Sequence, residues 1–288
     1  VTEPPAISFT QTQTNPTCNG ASDGSANVTA SGGSGSITLV WADCPACPMP
    51  RTGMAAGTYS VIATDGSACK DTLVFTLTQP NALNITLTST GLSCNSSCNA
   101  TISSVVSGGT PTYTYSWSPG GSTNPIQSNA CAGTYTLQIT DANSCVQTQT
   151  VNIVAPNAIT INVNTSDPLC NGQCTGTANA SVSGGTPAYT YSWAPGGQTT
   201  SAIANLCTGS YTLTVTDSKS CTQTNTVTIN QPTALTVSSG SVNITCAGAC
   251  NGSAGIVASG GTPGYTYSWN NGSTNDTITS VCPGNYNV

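Results

Sequence analysis

Four tryptophans, Trp41, Trp117, Trp193 and Trp269, stand 76 residues apart, and the chain has no others. Each closes the same segment. It reads G-G-T-P-T-Y-T-Y-S-W at 108–117, G-G-T-P-A-Y-T-Y-S-W at 184–193 and G-G-T-P-G-Y-T-Y-S-W at 260–269. A worn copy, G-G-S-G-S-I-T-L-V-W, occupies 32–41. Gly-Gly-Thr-Pro is turn chemistry, and Tyr-x-Tyr-x-Trp is a strand that carries its aromatic rings on one face. Self-similarity at a fixed period of this length restricts the chain to a row of small, like units.

Equivalent linkers mark the boundaries: Pro5-Ala6-Ile7, Asn81-Ala82-Leu83, Asn157-Ala158-Ile159 and Thr233-Ala234-Leu235, the last three preceded by Pro80, Pro156 and Pro232. The repeats are therefore read as 1–80, 81–156, 157–232 and an incomplete 233–288. Proline without glycine makes these linkers stiff, so a semi-rigid rod is expected. Within a repeat the apolar period is two. In repeat three it runs through Ile159, Ile161, Val163; Ala178, Ala180, Val182; Tyr189, Tyr191, Trp193; a weak strand near Ile203; Tyr211, Leu213, Val215; and Val227, Ile229. Thr, Ser and Asn fill the intervening positions, as suits a solvated β face. Six or seven short strands separated by Gly, Pro and Asn turns predict an all-β chain of tandem immunoglobulin-like sandwiches. Repeat four breaks off at Val288 inside an expected strand, so the sequence reads as a window on a longer array, with a strand donated by a neighbouring chain as the rival reading.

Composition removes whole classes of function. Charged residues make up 4% of the chain, against roughly a quarter in ordinary soluble proteins. The net charge is −6 and the basic residues are Arg51, Lys70 and Lys219, so no phosphate-binding surface and no nucleic-acid partner is expected. Histidine is absent, which removes imidazole ligands and the usual general base. No catalytic, cofactor or metal site can be assembled, and the chain is read as no enzyme. No apolar run approaches the ~20 residues of a membrane span. The opening V-T-E-P-P lacks a basic and apolar leader, as in a mature or internal portion of a secreted protein.

Fifteen cysteines indicate an oxidising compartment. Repeats two and three each hold four, at Cys94, Cys98, Cys131, Cys145 and at Cys170, Cys174, Cys207, Cys221. Repeat one keeps the first and fourth as Cys18 and Cys69, and has lost the second and third together, to Ser22 and Ala55. Joint loss is what a bonded pair leaves behind. The pairs expected are Cys18–Cys69, Cys94–Cys145, Cys98–Cys131, Cys170–Cys221, Cys174–Cys207 and Cys250–Cys282, with the extra Cys44 and Cys47 joined to each other. Cys246 is left over, its partner expected about eight residues past Val288 from the 76-residue period.

Each notable constellation carries a structural and a functional reading. Cys-x-x-x-Cys and Cys44-Pro45-Ala46-Cys47 fit structural disulfides better than zinc or a redox motif, given no histidine and no βαβ pattern. The Tyr-x-Tyr-x-Trp strand fits a core better than a sugar platform, because repeat one has Ile37 and Leu39 in place of the tyrosines. Tyr59, Tyr135, Tyr211 and Tyr286 follow Gly-Thr, Gly-Ser or Gly-Asn at a late strand, as in a tyrosine corner. Asp65, Asp141 and Asp217, in Thr-Asp-x-x-x-Cys, fit an Asx-type turn better than calcium, which gathers more carboxylates. Ten Asn-x-Ser/Thr sequons are what a chain so rich in Asn, Ser and Thr produces by chance.

Four motifs, Cys-Asn-Gly at 18–20 and 170–172, Gly-Gly-Thr-Pro-x-Tyr-x-Tyr-x-Trp, Gly-Thr-Tyr, and Thr-Asp-x-x-x-Cys, make the repeats resemble the SprB repeat of very long cell-surface adhesins in gliding Bacteroidota. The resemblance spans essentially the whole chain; the second cysteine pair of repeats two to four and the worn turn of repeat one depart from it. It implies extracellular display at the cell surface, type IX export, and a structural stalk or filament that supports adhesion or gliding motility. Partners would be neighbouring repeats or like filament subunits. A module binding surface polysaccharide is the alternative. Asp71-Thr72-Leu73 and Asp276-Thr277-Ile278 also resemble the Asp-Ser/Thr-aliphatic motif of such bacteria, which makes Thr72 and Thr277 the candidate O-glycosylation sites.

Overall fold

The structure, a computed structural model, describes residues 2–288. It falls into two compact units, one ending at Ala155 and the other spanning Pro156–Val288. Secondary structure among the described residues is β, with no helix.

The first unit holds two six-stranded repeats. Repeat one contains β1 (Ser8–Thr14), β2 (Gly24–Ser31), β3 (Thr38–Trp41), β4 (Arg51–Met54), β5 (Gly57–Thr64) and β6 (Lys70–Leu77). Repeat two contains β7 (Asn84–Ser89), β8 (Ala100–Ser107), β9 (Thr114–Ser118), β10 (Ile126–Ala130), β11 (Gly133–Thr140) and β12 (Val146–Ile153). In each, the first, second and fourth strands form one antiparallel sheet, and the third, fifth and sixth form the other. This is the division of an immunoglobulin-like sandwich, with one edge strand fewer than the constant-type fold.

Alternation sets which face is buried. In β11, Tyr135, Leu137 and Ile139 point inward while Thr134 and Gln138 face solvent. Opposite them Trp117 pairs with Leu137, and Trp41 stands in the same register against Val61. Trp117 gathers Ala100, Ile102, Leu137, Ile139 and Ile153 into the core of repeat two. Burial is near complete, with Trp41 0% and Trp117 2% exposed.

The second unit repeats the layout with β13 (Thr160–Ser166), β14 (Gly176–Ser183), β15 (Thr190–Ala194), β16 (Ala202–Leu206), β17 (Gly209–Thr216) and β18 (Thr222–Ile229). The weak strand expected near Ile203 is β16, whose Ile203 faces inward against Ala178. Repeat four forms one sheet, β19 (Thr236–Val242), β20 (Gly252–Ser259) and β21 (Thr277–Val281). Tyr265–Trp269, expected as a strand, is not one, and neither is Gly284–Val288. In the other repeats the fifth strand holds the third and sixth on either side; among the described residues of repeat four no such central strand forms. Trp269 is nonetheless 4% exposed, with its Nε1–H donated to the Asn275 carbonyl at 2.8 Å.

Candidate functional site

The residues that recur without an apolar core role converge on the linkers that open the repeats. The Gly-Gly turn comes first. The amides of Gly33, Gly109, Gly185 and Gly261 donate to the Pro5, Asn81, Asn157 and Thr233 carbonyls, each at 2.8 Å, so the turn grips the linker that opens its own repeat. The preceding glycine has to be glycine. Gly108 sits at φ +74°, and a Cβ there would come within 1.9 Å of the Ala82 carbonyl oxygen.

The buried aspartate fastens this turn to the last hairpin. Asp141 is 5% exposed and accepts backbone N–H groups of Thr110 (2.8 Å), Asn143 (2.9 Å) and Cys145 (2.9 Å). Asp65 and Asp217 repeat the arrangement. The Ser34 amide foremost for Asp65, and that of Thr186 for Asp217, hold the carboxyls below their ordinary range; for Asp141 burial works upward but the three amides outweigh it. A folded pKa below the unfolded one stabilises the protein above the unfolded pKa near 3.9, and that stability is lost as pH falls through the lower folded value. Stability is therefore expected to fall as the pH drops below about 4, where the unfolded chain takes up protons that the three folded carboxylates resist. Asp141→Asn should remove part of this pH dependence, which circular dichroism across an acid titration will show as a flatter profile; an unchanged profile refutes the role.

From the other side, the Cys-Asn-Gly loop of the preceding repeat clamps the same linker. Asn19 Nδ2 donates to the Pro80 carbonyl at 3.0 Å, and the Gly20 amide to Gln79 Oε1 at 2.7 Å. Asn171 and Gly172 do the same to Pro232 and Gln231, both at 2.9 Å. Repeat two carries Ser96 where the glycine stands and Ala155 where the glutamine stands, so the backbone donor is kept there and the side-chain acceptor is not.

The two halves of the junction are joined covalently. Cys18 of repeat one is bonded to Cys145 of repeat two, 127 residues away, and Asn143 Nδ2 donates to the Thr17 carbonyl at 3.0 Å beside it. This corrects the intra-repeat pairing expected from sequence. Cys18–Cys69 does not form, and Cys69 is an exposed thiol. Cys94–Cys145 does not form, since Cys145 is taken by Cys18. Cys170–Cys221 does not form either: Cys170 is an exposed thiol, while Cys221, like Cys94, is disulfide-bonded. The reason is the length of β1. Its seven residues carry the chain about 23 Å, from the end of the sandwich that holds Cys69 to the end that holds Cys18. A disulfide tolerates a Cα separation of only about 4–7 Å. The sequence carried part of this signal: in an immunoglobulin-like sandwich the first and last inter-strand loops lie at opposite ends, which argues against the intra-repeat pair without naming Cys145 as the partner.

The remaining bonds are Cys44–Cys47, Cys98–Cys131, Cys174–Cys207 and Cys250–Cys282. Cys246 is an exposed thiol. The tyrosine of each late strand reaches back four residues: Tyr59, Tyr211 and Tyr286 donate to the Ala55, Cys207 and Cys282 carbonyls, and the Tyr135 oxygen accepts from the Cys131 amide. Thr72 on β6 and Thr277 on β21 are both exposed. Among the described residues no three His, Cys, Asp or Glu side chains gather as a metal site, and no helix is long and apolar enough to cross a membrane.

Sandwich repeats clamped at their linkers, and in the first unit bonded across the junction, define a class: tandem, disulfide-linked immunoglobulin-like repeat proteins. The SprB repeat family matches the sequence four times, at residues 10–43, 86–122, 162–198 and 235–274, together just over half of the chain. The chain belongs to the SprB repeat family, a group of cell-surface repeat proteins. No protein of curated function matches it. Among solved structures it is similar to the immunoglobulin domains 1–5 of Sidekick-1, at 11% identity and a TM-score of 0.38, covering 80% of this chain and 60% of that one. It is also similar to domains 1–6 of the surface layer protein SbsC, at 13% identity and a TM-score of 0.30, covering 90% of this chain and 49% of that one.

Proposed function

We propose that this chain is a stalk or filament segment of a secreted bacterial cell-surface adhesin, exported by a type IX system and serving adhesion or gliding. The observation that carries this reading is the Cys18–Cys145 bond, which routes tension from one repeat to the next without drawing it through the sheets between. The linker clamps support it by removing the hinge that a bare proline linker would leave. The tryptophans, at most 4% exposed, offer no ring for a sugar to stack on, which weighs against the polysaccharide-binding alternative. A stalk acts through its length. Replacing residues 1–288 in the producing cell by an unrelated sandwich array of equal length should leave attachment or gliding intact. Loss of either, restored by the original repeats, would mean that the repeats themselves recognise a ligand.

A further inference from the structure

The Cys18–Cys145 link has two chemical halves, and this chain displays each of them a second time without a partner. The receiving half is Cys145 in a cleft of about 510 Å³, walled by Ala82, Leu83, Gly109 and Val146, with Cys18 and Asn19 of the presenting loop completing its lining. One period earlier the same walls recur as Ala6, Ile7, Gly33 and Lys70, around a cleft of about 320 Å³ that holds Cys69. There the thiol is exposed and unbonded. The presenting half recurs as Cys170-Asn171-Gly172, with Asn171 and Gly172 anchored as Asn19 and Gly20 are, and with the Cys170 thiol exposed. Directly before it, the Leu169 carbonyl accepts from Thr262 Oγ1 at 3.1 Å, so the Gly-Gly-Thr-Pro turn of the following repeat approaches the backbone just ahead of the cysteine, as Asn143 does at Thr17.

We infer that the Cys69 cleft is a covalent docking site for a Cys-Asn-Gly-type loop of a further SprB repeat, and that Cys170 is the matching presenting group. The link has a direction: a presenting cysteine from between first and second strands meets a receiving cysteine from between fifth and sixth, and like never meets like. Closing it removes one hydrogen from each thiol, and a disulfide oxidant takes up both and leaves as two thiols. The presenting loop has two sources, another repeat of the same polypeptide or a second copy of this chain. The inference rests on the repeated cleft and loop, and holds whether or not the array is a stalk.

The test is disulfide mapping of the protein as isolated from its producing cell. Free thiols are alkylated first, and digestion uses chymotrypsin, since three basic residues leave trypsin few sites. The peptide holding Cys69 is expected to resist alkylation until reduction and to be recovered bonded to a presenting-loop cysteine. A linked peptide containing Cys170 or Cys246, recovered from a species that runs as a dimer until reduced, identifies a second copy; the same peptide from a monomer, or a presenting loop from outside residues 1–288, identifies a repeat of the same polypeptide. Cys69 recovered as a free thiol, as a glutathione adduct, or bonded to Cys18 or to another Cys69 would overturn the inference. To separate docking from chance oxidation, a Cys69→Ser chain is mixed with a Cys170→Ser/Cys246→Ser chain in glutathione redox buffer. A second-copy link then gives a mixed dimer and no dimer from either variant alone; dimers of each variant with itself would refute the directional rule.

Discussion

A fragment of residues 1–155 carrying Cys94→Ser, stretched from its ends in non-reducing buffer, should lengthen by about 30 nm more once Cys18 and Cys145 are also replaced by serine. The Cys18–Cys145 bond closes a loop of 127 residues, and everything inside it is shielded from the applied force. Removing it frees those residues, less the segment still closed by Cys98–Cys131, at roughly 3.5 Å each. A bond between Cys18 and Cys69 would shield little more than half as many residues, so a gain of about 17 nm would signal the intra-repeat pairing instead. The same replacement should lower equilibrium stability, because in the chain-entropy description a loop of this size stabilises by about 5 kcal/mol. Denaturant titration of the two forms measures that difference. Coincident curves would mean that the bond ties together two repeats already stable without it.

Trp193→Ala should unfold repeat three at ordinary temperature while leaving the other tryptophans in place as reporters. Trp193 is 1% exposed and packs with Ile161, Ala178, Leu213, Val215 and Ile229. Its Nε1–H donates to the Thr200 carbonyl at 3.0 Å, tying the third strand to the segment leading into β16. Truncating so large a buried side chain costs about 3–5 kcal/mol, and the carbonyl loses its donor as well. A sandwich of this size, with Ala178 and Ala180 at core positions, has little reserve against such a loss. Trp193→Phe keeps most of the volume and should cost clearly less. A midpoint unmoved by Trp193→Ala in guanidinium unfolding would show that the core does not depend on the ring.

How the repeats fold was legible in the sequence because it depends on local physics that the period displays four times. Alternation in Tyr211, Leu213 and Val215 decides which face of β17 is buried, and Gly184 announces a turn that no side chain could make. The Cys98–Cys131 bond could be read from the joint loss of its two cysteines in repeat one, where Ser22 and Ala55 stand, since both partners lie in one repeat. Joint loss cannot place the first and fourth cysteines. Every full repeat carries one of each, so pairing within a repeat and pairing between neighbours leave the same record. Repeat four's missing third strand was likewise hidden, because Tyr265–Trp269 has the composition of a strand but lacks the full partner that would hold it. By itself, then, the sequence determined the sandwich, its period and its core, which follow from side-chain alternation and backbone turns. Only the tertiary structure decided what joins one repeat to the next, because β1 carries Cys18 a full strand's length from Cys69 and sets it beside Cys145, and a disulfide forms only between cysteines that the fold brings into contact.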